Sequence, residues 1–230
     1  MKKTKFEKYC LLFTIFIFGS FIGFILENLY TIVIKGNYAL RQGLIYEPLI
    51  PIYGLGALTM YFLLKDKQKT DKFLILKIFI IGFLAGSLIE YICSYMQQNI
   101  FGTISWDYSK KMFNINGRIN LFHSILWGLL GILFYYLILP MIEQIKIKDK
   151  KVKVLIIIIS CIFLVDCTIS GLACYRQKER RENLVPSNKI EILLDKHYPD
   201  EYLDKIYNNA KVVNIKWKNS DKYLPENLKW

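Results

Sequence analysis

Five long apolar blocks separated by lysine-rich turns constrain this chain more than any other feature. Tyr9 to Leu26 and Pro48 to Leu64 hold no charged residue, and Ile119 to Ile142 holds none except His123. Phe73 to Met96 and Val152 to Cys174 are similar but carry Lys77, Glu90, Lys153 and Asp166. Each block is close to the roughly 20 residues that an α-helix needs to cross a bilayer. A helix of a soluble core carries a polar stripe with a period of 3.6 residues, and Leu155 to Ile159 has none. The expected fold is therefore all-α, a polytopic membrane protein with about five transmembrane helices. They fall at about 9–34, 48–64, 73–96, 119–142 and 152–174, in a transmembrane domain over 1–174, followed by a polar tail over 175–230. Within the tail, Ile190, Leu193, Leu194, Leu203 and Ile206 recur at helical spacing around Pro199, which predicts two short helices on the membrane or on the protein.

The charge pattern sets orientation. The net charge is +12, which on a soluble domain points to nucleic acid. Here the basic residues lie between the apolar blocks, so lipid is the partner and nucleic acid is not. Lys2, Lys3, Lys5 and Lys8, then Lys65, Lys67, Lys69 and Lys72, then Lys146, Lys148, Lys150, Lys151 and Lys153 fall on one side. Only Lys35, Arg41, Lys110, Lys111 and Arg118 fall on the other. The positive-inside rule places the N-terminus in the cytoplasm of a multi-pass protein of the cytoplasmic membrane. An odd number of spans then puts the tail outside, against the pull of Arg176, Lys178, Arg180 and Arg181.

The first and third blocks share a pattern, Gly19-x3-Gly23-x3-Glu27 and Gly82-x3-Gly86-x3-Glu90. Residues four apart share a helix face, so each helix carries a glycine groove leading to a carboxylate, and such grooves let helices approach closely in lipid. The second and fourth blocks also correspond. Gly43 precedes Gly54, and Gly117 precedes Gly128, by eleven residues, with Tyr53 and Trp127 directly before the second glycine. We infer a duplicated two-helix unit with a fifth span added. Gly54 and Gly128 join Gly19, Gly23, Gly82 and Gly86 as helix-packing positions.

Depth places the polar residues. Glu27 stands 18 residues beyond Tyr9, about 27 Å at the helical rise, and Glu90 is about as deep in its own span. Both fall toward the outer side, near Arg41, Arg118 and His123. Asp166 lies past the midplane of the fifth span. Charges inside spans are expensive and face the bundle interior or water. The expected site is an outward-facing polar vestibule that binds a substrate or ion, with Glu27 and Glu90 on its walls, Arg41 and Arg118 at its rim, and His123, Asp107 and Asp166 as further members. The bland alternatives are that Glu27 and Glu90 pair with Arg41 and Arg118 only to hold helices together, that Asp166 is a structural acceptor, and that His123 packs.

The chain contains no GxxxxGK[ST], HExxH, GxSxG or CxxC, so no nucleotide, metal or acyl-transfer chemistry is written in it. No enzyme, no metal site and no cofactor is expected.

The most specific text runs from Trp106 to Gly131, WDYSKKMFNINGRINLFHSILWGLLG. Its Trp106-Asp107-Tyr108-Ser109, Phe113-Asn114, Asn116-Gly117-Arg118-Ile119 and Trp127-Gly128 resemble the bacterial family described as putative ABC-transporter type IV, or CmpB-like, permeases. Gly23 to Glu27, then Gly43, Tyr46, Pro48, Pro51, Ile52, Tyr53 and Gly54, are similar to its early segment. Ser105 departs from a tryptophan often found there. The resemblance covers roughly residues 15–175 and implies a transporter permease subunit, for which a separate ATPase subunit would be the partner; a homodimer is a further expected assembly. That ATPase would dock on the loops around 65–72 and 143–153, which are short, lysine-rich and without an apolar coupling helix. The alternative readings are a membrane sensory or assembly protein without transport activity, and an intramembrane enzyme.

Overall fold

The computed structural model describes residues 4–36, 40–67, 70–145 and 147–213. Lys2, Lys3, Lys69 and Lys146 of the charge pattern, and residues 214–230 of the tail, lie outside the described residues.

Helix α1 (Lys5–Lys35) opens on a capping box. Thr4 Oγ1 accepts from the Glu7 amide and Glu7 Oε2 accepts from the Thr4 amide, so two otherwise orphaned donors are satisfied. It ends at Gly36, whose φ of 66° is open to glycine without strain. Helix α2 (Pro51–Leu64) begins with a proline in its first turn. Helix α3 (Leu74–Phe101) stops at Gly102, again left-handed. Helix α4 (Leu121–Leu133) is capped by Asn120 and widens into a π-helical turn over Phe134–Ile138 before α5 (Leu139–Glu143). The wide turn directly precedes Pro140, which has no N–H to give back to the Tyr136 carbonyl. Helix α6 (Lys150–Arg181) starts on an Asp149 cap. Helices α7 (Lys189–His197) and α8 (Asp200–Ile206) follow, separated at Pro199.

Among the described residues, four stretches are long and apolar enough to cross a membrane: Lys5–Val33, Leu74–Phe101, Leu121–Glu143 and Lys150–Arg181. The second expected span is shorter than its apolar text. Helix α2 has 14 residues, about 21 Å at the helical rise, against a hydrocarbon core of about 30 Å. The missing length is Pro48 to Ile50, the last part of an irregular segment over 43–50. The amides of Gly43, Ile45, Tyr46, Glu47, Leu49 and Ile50 are satisfied by the protein, as non-helical chain at membrane depth requires. Gly43 donates to the Leu49 carbonyl at 2.8 Å and Ile50 to the Ser20 carbonyl at 3.1 Å.

Helix α1 packs along α2, and α3 along α4, with α2 against α3 and α6 flanking both units. The core runs from Cys10, Leu11 and Ile15 through Met60, Leu64 and Ile78 to Trp127, Phe134, Leu139 and Ile142. Residues such as Leu84 and Leu88 on α3 and Leu155, Ile158 and Ile162 on α6 point outward as an apolar belt. One end of the bundle gathers the start of α1, residues 65–67 and 70–73 between α2 and α3, and residues 144–145 and 147–149 between α5 and α6, with Lys153 Nζ 3.2 Å from Glu7 Oε1. The other end gathers the 40–50 segment, the 102–120 hairpin and the tail.

The tail folds back on α6, which continues to Arg181, seven residues beyond the expected end of its span. Arg176, only 2% exposed, faces Asp195 with both Nε and Nη2 at 3.0 Å. Arg180 reaches Asp195 and Asp200. Beneath these pairs Leu194 and Leu203 close over Ala173 and Ile45. Strand β1 (Thr103–Ile104) pairs antiparallel with β4 (Lys211–Val212), which ties the tail to the hairpin, and β2 (Asn114–Ile115) pairs with β3 (Ile119–Asn120) within it.

Candidate functional site

The duplicated pattern places two carboxylates, one on α1 and one on α3, at the same end of the bundle. On α1, Glu27 Oε1 accepts from the Tyr53 hydroxyl at 2.9 Å and Oε2 faces Arg41 Nη1 at 2.8 Å. On α3, Glu90 Oε1 accepts from the Tyr108 hydroxyl at 3.0 Å and Oε2 from the Trp127 indole at 3.1 Å. Tyr53 and Trp127, matched by the repeat, thus donate to the matched glutamates. Their rings meet with 5.3 Å between centroids, joining the two units.

The glycines make this geometry. A Cβ on Gly86 would overlap the Trp127 ring and lie 2.6 Å from its Cβ; one on Gly23 would overlap Tyr53 in the same way. Gly82 lies against the Trp127 carbonyl, and Gly19 against the Tyr53 carbonyl. Gly54 faces Phe16, and Gly128 faces Phe79. The small residues remove side-chain volume where an aromatic ring must reach across to a carboxylate.

The hairpin after α3 closes over Glu90. Asn114, Asn116 and Gly117 form its turn, with Asn116 and Gly117 left-handed and the Gly117 amide donating to Asn114 Oδ1. The Trp106 indole donates to the Arg118 carbonyl and the Tyr108 amide to the Gly117 carbonyl, so the motif residues brace one another. Tyr108 then drops its ring onto His123, 4.3 Å between centroids, and its hydroxyl onto Glu90. Burial, and next the Glu90 charge, hold the Tyr108 phenol protonated well above its ordinary range. Asp107 accepts from the Ser109 amide, which holds its carboxyl below the usual carboxylate range. Asp107 therefore caps the turn.

Three expected residues stand differently from a common vestibule wall. Arg118 points along α3 to Ser94 at 3.0 Å and to Gln98, and not to Glu90. It lies over the Tyr91 and Tyr95 rings. His123 is held by Asn120, the helix cap, so its ring packs under Tyr108. Asp166, 2% exposed, accepts from the amides of Tyr46 and Glu47 at 3.1 and 2.8 Å and from Ser170 at 2.9 Å. It supplies the acceptors that the non-helical 43–50 segment lacks. Ser87 and Ser124 add a buried hydrogen bond of 2.7 Å between α3 and α4.

Sequence reasoning overlooked Tyr53, Tyr108 and Trp127 as the donors to the carboxylates. The signal was present for two of them, since the repeat sets Tyr53 and Trp127 at equivalent positions beside equivalent glycines. Beside the ring pair the free space is about 40 Å³, bounded by Gly19, Ile22, Met60 and Leu130, room for about one water. A cavity of about 520 Å³ lies at the other end between Glu7, Leu11, Ile142, Ile147 and Lys148.

No curated protein matches the chain. No solved structure matches it either. The family profile described as putative ABC-transporter type IV matches residues 14–171, which takes in both helix pairs, the hairpin and most of α6, and the chain belongs to that family.

Proposed function

We propose that the chain is a permease-type subunit of a transporter in the cytoplasmic membrane. Its N-terminus lies in the cytoplasm, and its substrate or ion site lies on Glu27, Arg41, Glu90 and their aromatic partners. The observation that carries the reading is a pair of carboxylates on two duplicated helices, at one end of the bundle, under a hairpin and a folded tail. Ionisable groups inside spans mark substrate and ion pathways, and sites at the interface of internal repeats are a recurring transporter design. Family membership supports a component of an ABC-type system. Arg118, His123, Asp107 and Asp166 then serve as positioning residues that brace the hairpin and the 43–50 segment around the site.

In this reading an ATPase subunit docks at the lysine-rich end. Purification of the tagged protein in mild detergent tests it, and an ATPase should copurify. Recovery of the chain without one, together with normal transport in a folded Glu27→Gln/Glu90→Gln variant, overturns both the partner and the site. A C-terminal tag reached by antibody on intact cells is expected, and a tag reached only after permeabilisation reverses the orientation.

A sensory or assembly role is the second reading. It is favoured by the ordered tail, which presents α7 and α8 at the same end as the hairpin. Unchanged transport on deletion of the tail, with loss of a signalling or assembly phenotype, would select it.

A further inference from the structure

The two halves of the duplicated unit treat their carboxylates differently. Glu27 has one neutral donor, Tyr53, and one guanidinium, Arg41. Glu90 has two neutral donors, Trp127 and Tyr108. The phenol of Tyr108 stands where the first unit supplies a cation. Glu90 is also the more enclosed of the two, with 6% exposure. Among the described residues no lysine, arginine or histidine nitrogen lies within ion-pair distance of it. An ionised carboxylate away from water is costly unless a charge pairs with it, and neutral hydrogen bonds return only a small part of that cost.

From this asymmetry we infer that Glu90 is a proton-binding site, taking up and releasing a single proton on Oε1. The inference deepens the reading above by naming the ligand of one carboxylate, and rests on it only in treating this end of the bundle as the functional site.

The contacts select a proton over a metal cation. A cation such as Ca²⁺ or Mg²⁺ needs several oxygen ligands turned toward it, and among the described residues no group of three or more Asp, Glu, His or Cys side chains gathers around Glu90 to supply them. They also select the oxygen. The indole N–H of Trp127 can only donate, so Oε2 must remain an acceptor, whereas a tyrosine hydroxyl can donate or accept. In the step, a hydronium ion gives up one proton: its O–H bond breaks to leave a water molecule, an O–H bond forms at Oε1, and the carboxylate becomes a neutral acid. The new O–H donates to the Tyr108 oxygen, the Tyr108 hydroxyl hydrogen turns away, and the Trp127 bond is unchanged. No other bond forms or breaks. Because Tyr108 belongs to the hairpin, the proton is registered in the segment that closes the outer end.

The other groups around Glu90 are accounted for. Glu27, from α1, is paired with Arg41 and bonded to Tyr53 of α2. Cys93 follows on α3 itself, and Arg118 is turned to Ser94 and Gln98. His123 of α4 is bonded to Asn120 and stacked under Tyr108.

Infrared difference spectroscopy on the full-length protein in lipid bilayers, between alkaline and acidic buffer, tests the assignment. A carboxylic-acid carbonyl band should appear on acidification in the wild type and in Glu27→Gln, and be missing in Glu90→Gln. Glutamine is the closest mimic of the protonated state, since its amide nitrogen can donate to Tyr108 and its oxygen can accept from Trp127, so this variant should fold. If it does not accumulate, Glu90→Asp replaces it and should move the band's frequency. Tyr108→Phe, which removes a donor to the charged form, should make the band appear at higher pH. A band that survives unchanged in Glu90→Gln, or one that neither Glu90→Asp nor Tyr108→Phe moves, overturns the proposal. Loss of this result leaves the permease reading standing. Failure of an ATPase to copurify leaves the proton site standing.

Discussion

Tyr53 and Trp127 meet ring to ring at the junction of the two helix pairs, planes tilted by 31°, and each donates to the glutamate of its own pair. One aromatic contact therefore couples both carboxylates, and both units depend on the glycines that seat these rings.

Gly86→Ala should expose that dependence. Its Cβ would overlap the Trp127 ring, and overpacking of this kind costs about 1–3 kcal/mol. A lower unfolding temperature in detergent and an altered Trp127 emission are expected. A Cβ added at Gly171 would meet nothing within 4 Å, so Gly171→Ala on α6 should be neutral or stabilising by about 0.5–1 kcal/mol.

Arg176→Ala should release the tail. The guanidinium is 2% exposed and makes a two-point contact with Asp195. Breaking a buried pair costs about 3–5 kcal/mol, and the low end applies because Arg180 still reaches Asp195. Limited proteolysis should cut the variant between residues 182 and 188 much faster than the wild type, while the helices before Arg181 stay intact.

The same contact fixes how tail docking depends on pH. Arg176, and then Arg180, hold the Asp195 carboxyl below its ordinary value of 3.8. A carboxylate lowered in the folded state contributes stability that is fully present above its unfolded value and is lost as the pH falls through the folded one. Tail proteolysis should therefore be flat from neutral down to about pH 4 and rise only below it. Acceleration near neutral pH would show that Asp195 does not govern docking.

Asp166→Leu should free the 43–50 segment, because it leaves the amides of Tyr46 and Glu47 and the Ser170 hydroxyl without their acceptor. Each orphaned donor costs about 1–3 kcal/mol. Hydrogen exchange at the Tyr46 and Glu47 amides should become fast. Asp166→Asn retains one oxygen and should keep most of the protection.

The fold was legible wherever the argument ran along a single helix. The apolar lengths, the Gly-x3-Gly-x3-Glu faces and the break at Pro199 all depend on spacing within one segment. The short α2 was not legible, because Pro48 to Ile50 is as apolar as the helix that follows, and apolar text does not distinguish helix from a segment whose amides are satisfied elsewhere. Those acceptors, Asp166 and Ser170, lie about 120 residues away. The partners of Arg118 were not legible for a similar reason. Its charge matches Glu90, but its backbone position lets it reach Ser94 and Gln98 instead.

By itself the sequence determined that the chain is an all-α polytopic membrane protein, and it pointed to a repeated helix pair and to the residues that are costly at membrane depth. Helical periodicity and transfer energetics are local properties, and they survive without knowledge of neighbours. Only the tertiary structure decided which donor each carboxylate keeps, because that choice is made between helices, by which ring a glycine admits. The guanidinium on Glu27 and the phenol on Glu90 are the outcome, and no spacing along the chain distinguishes them.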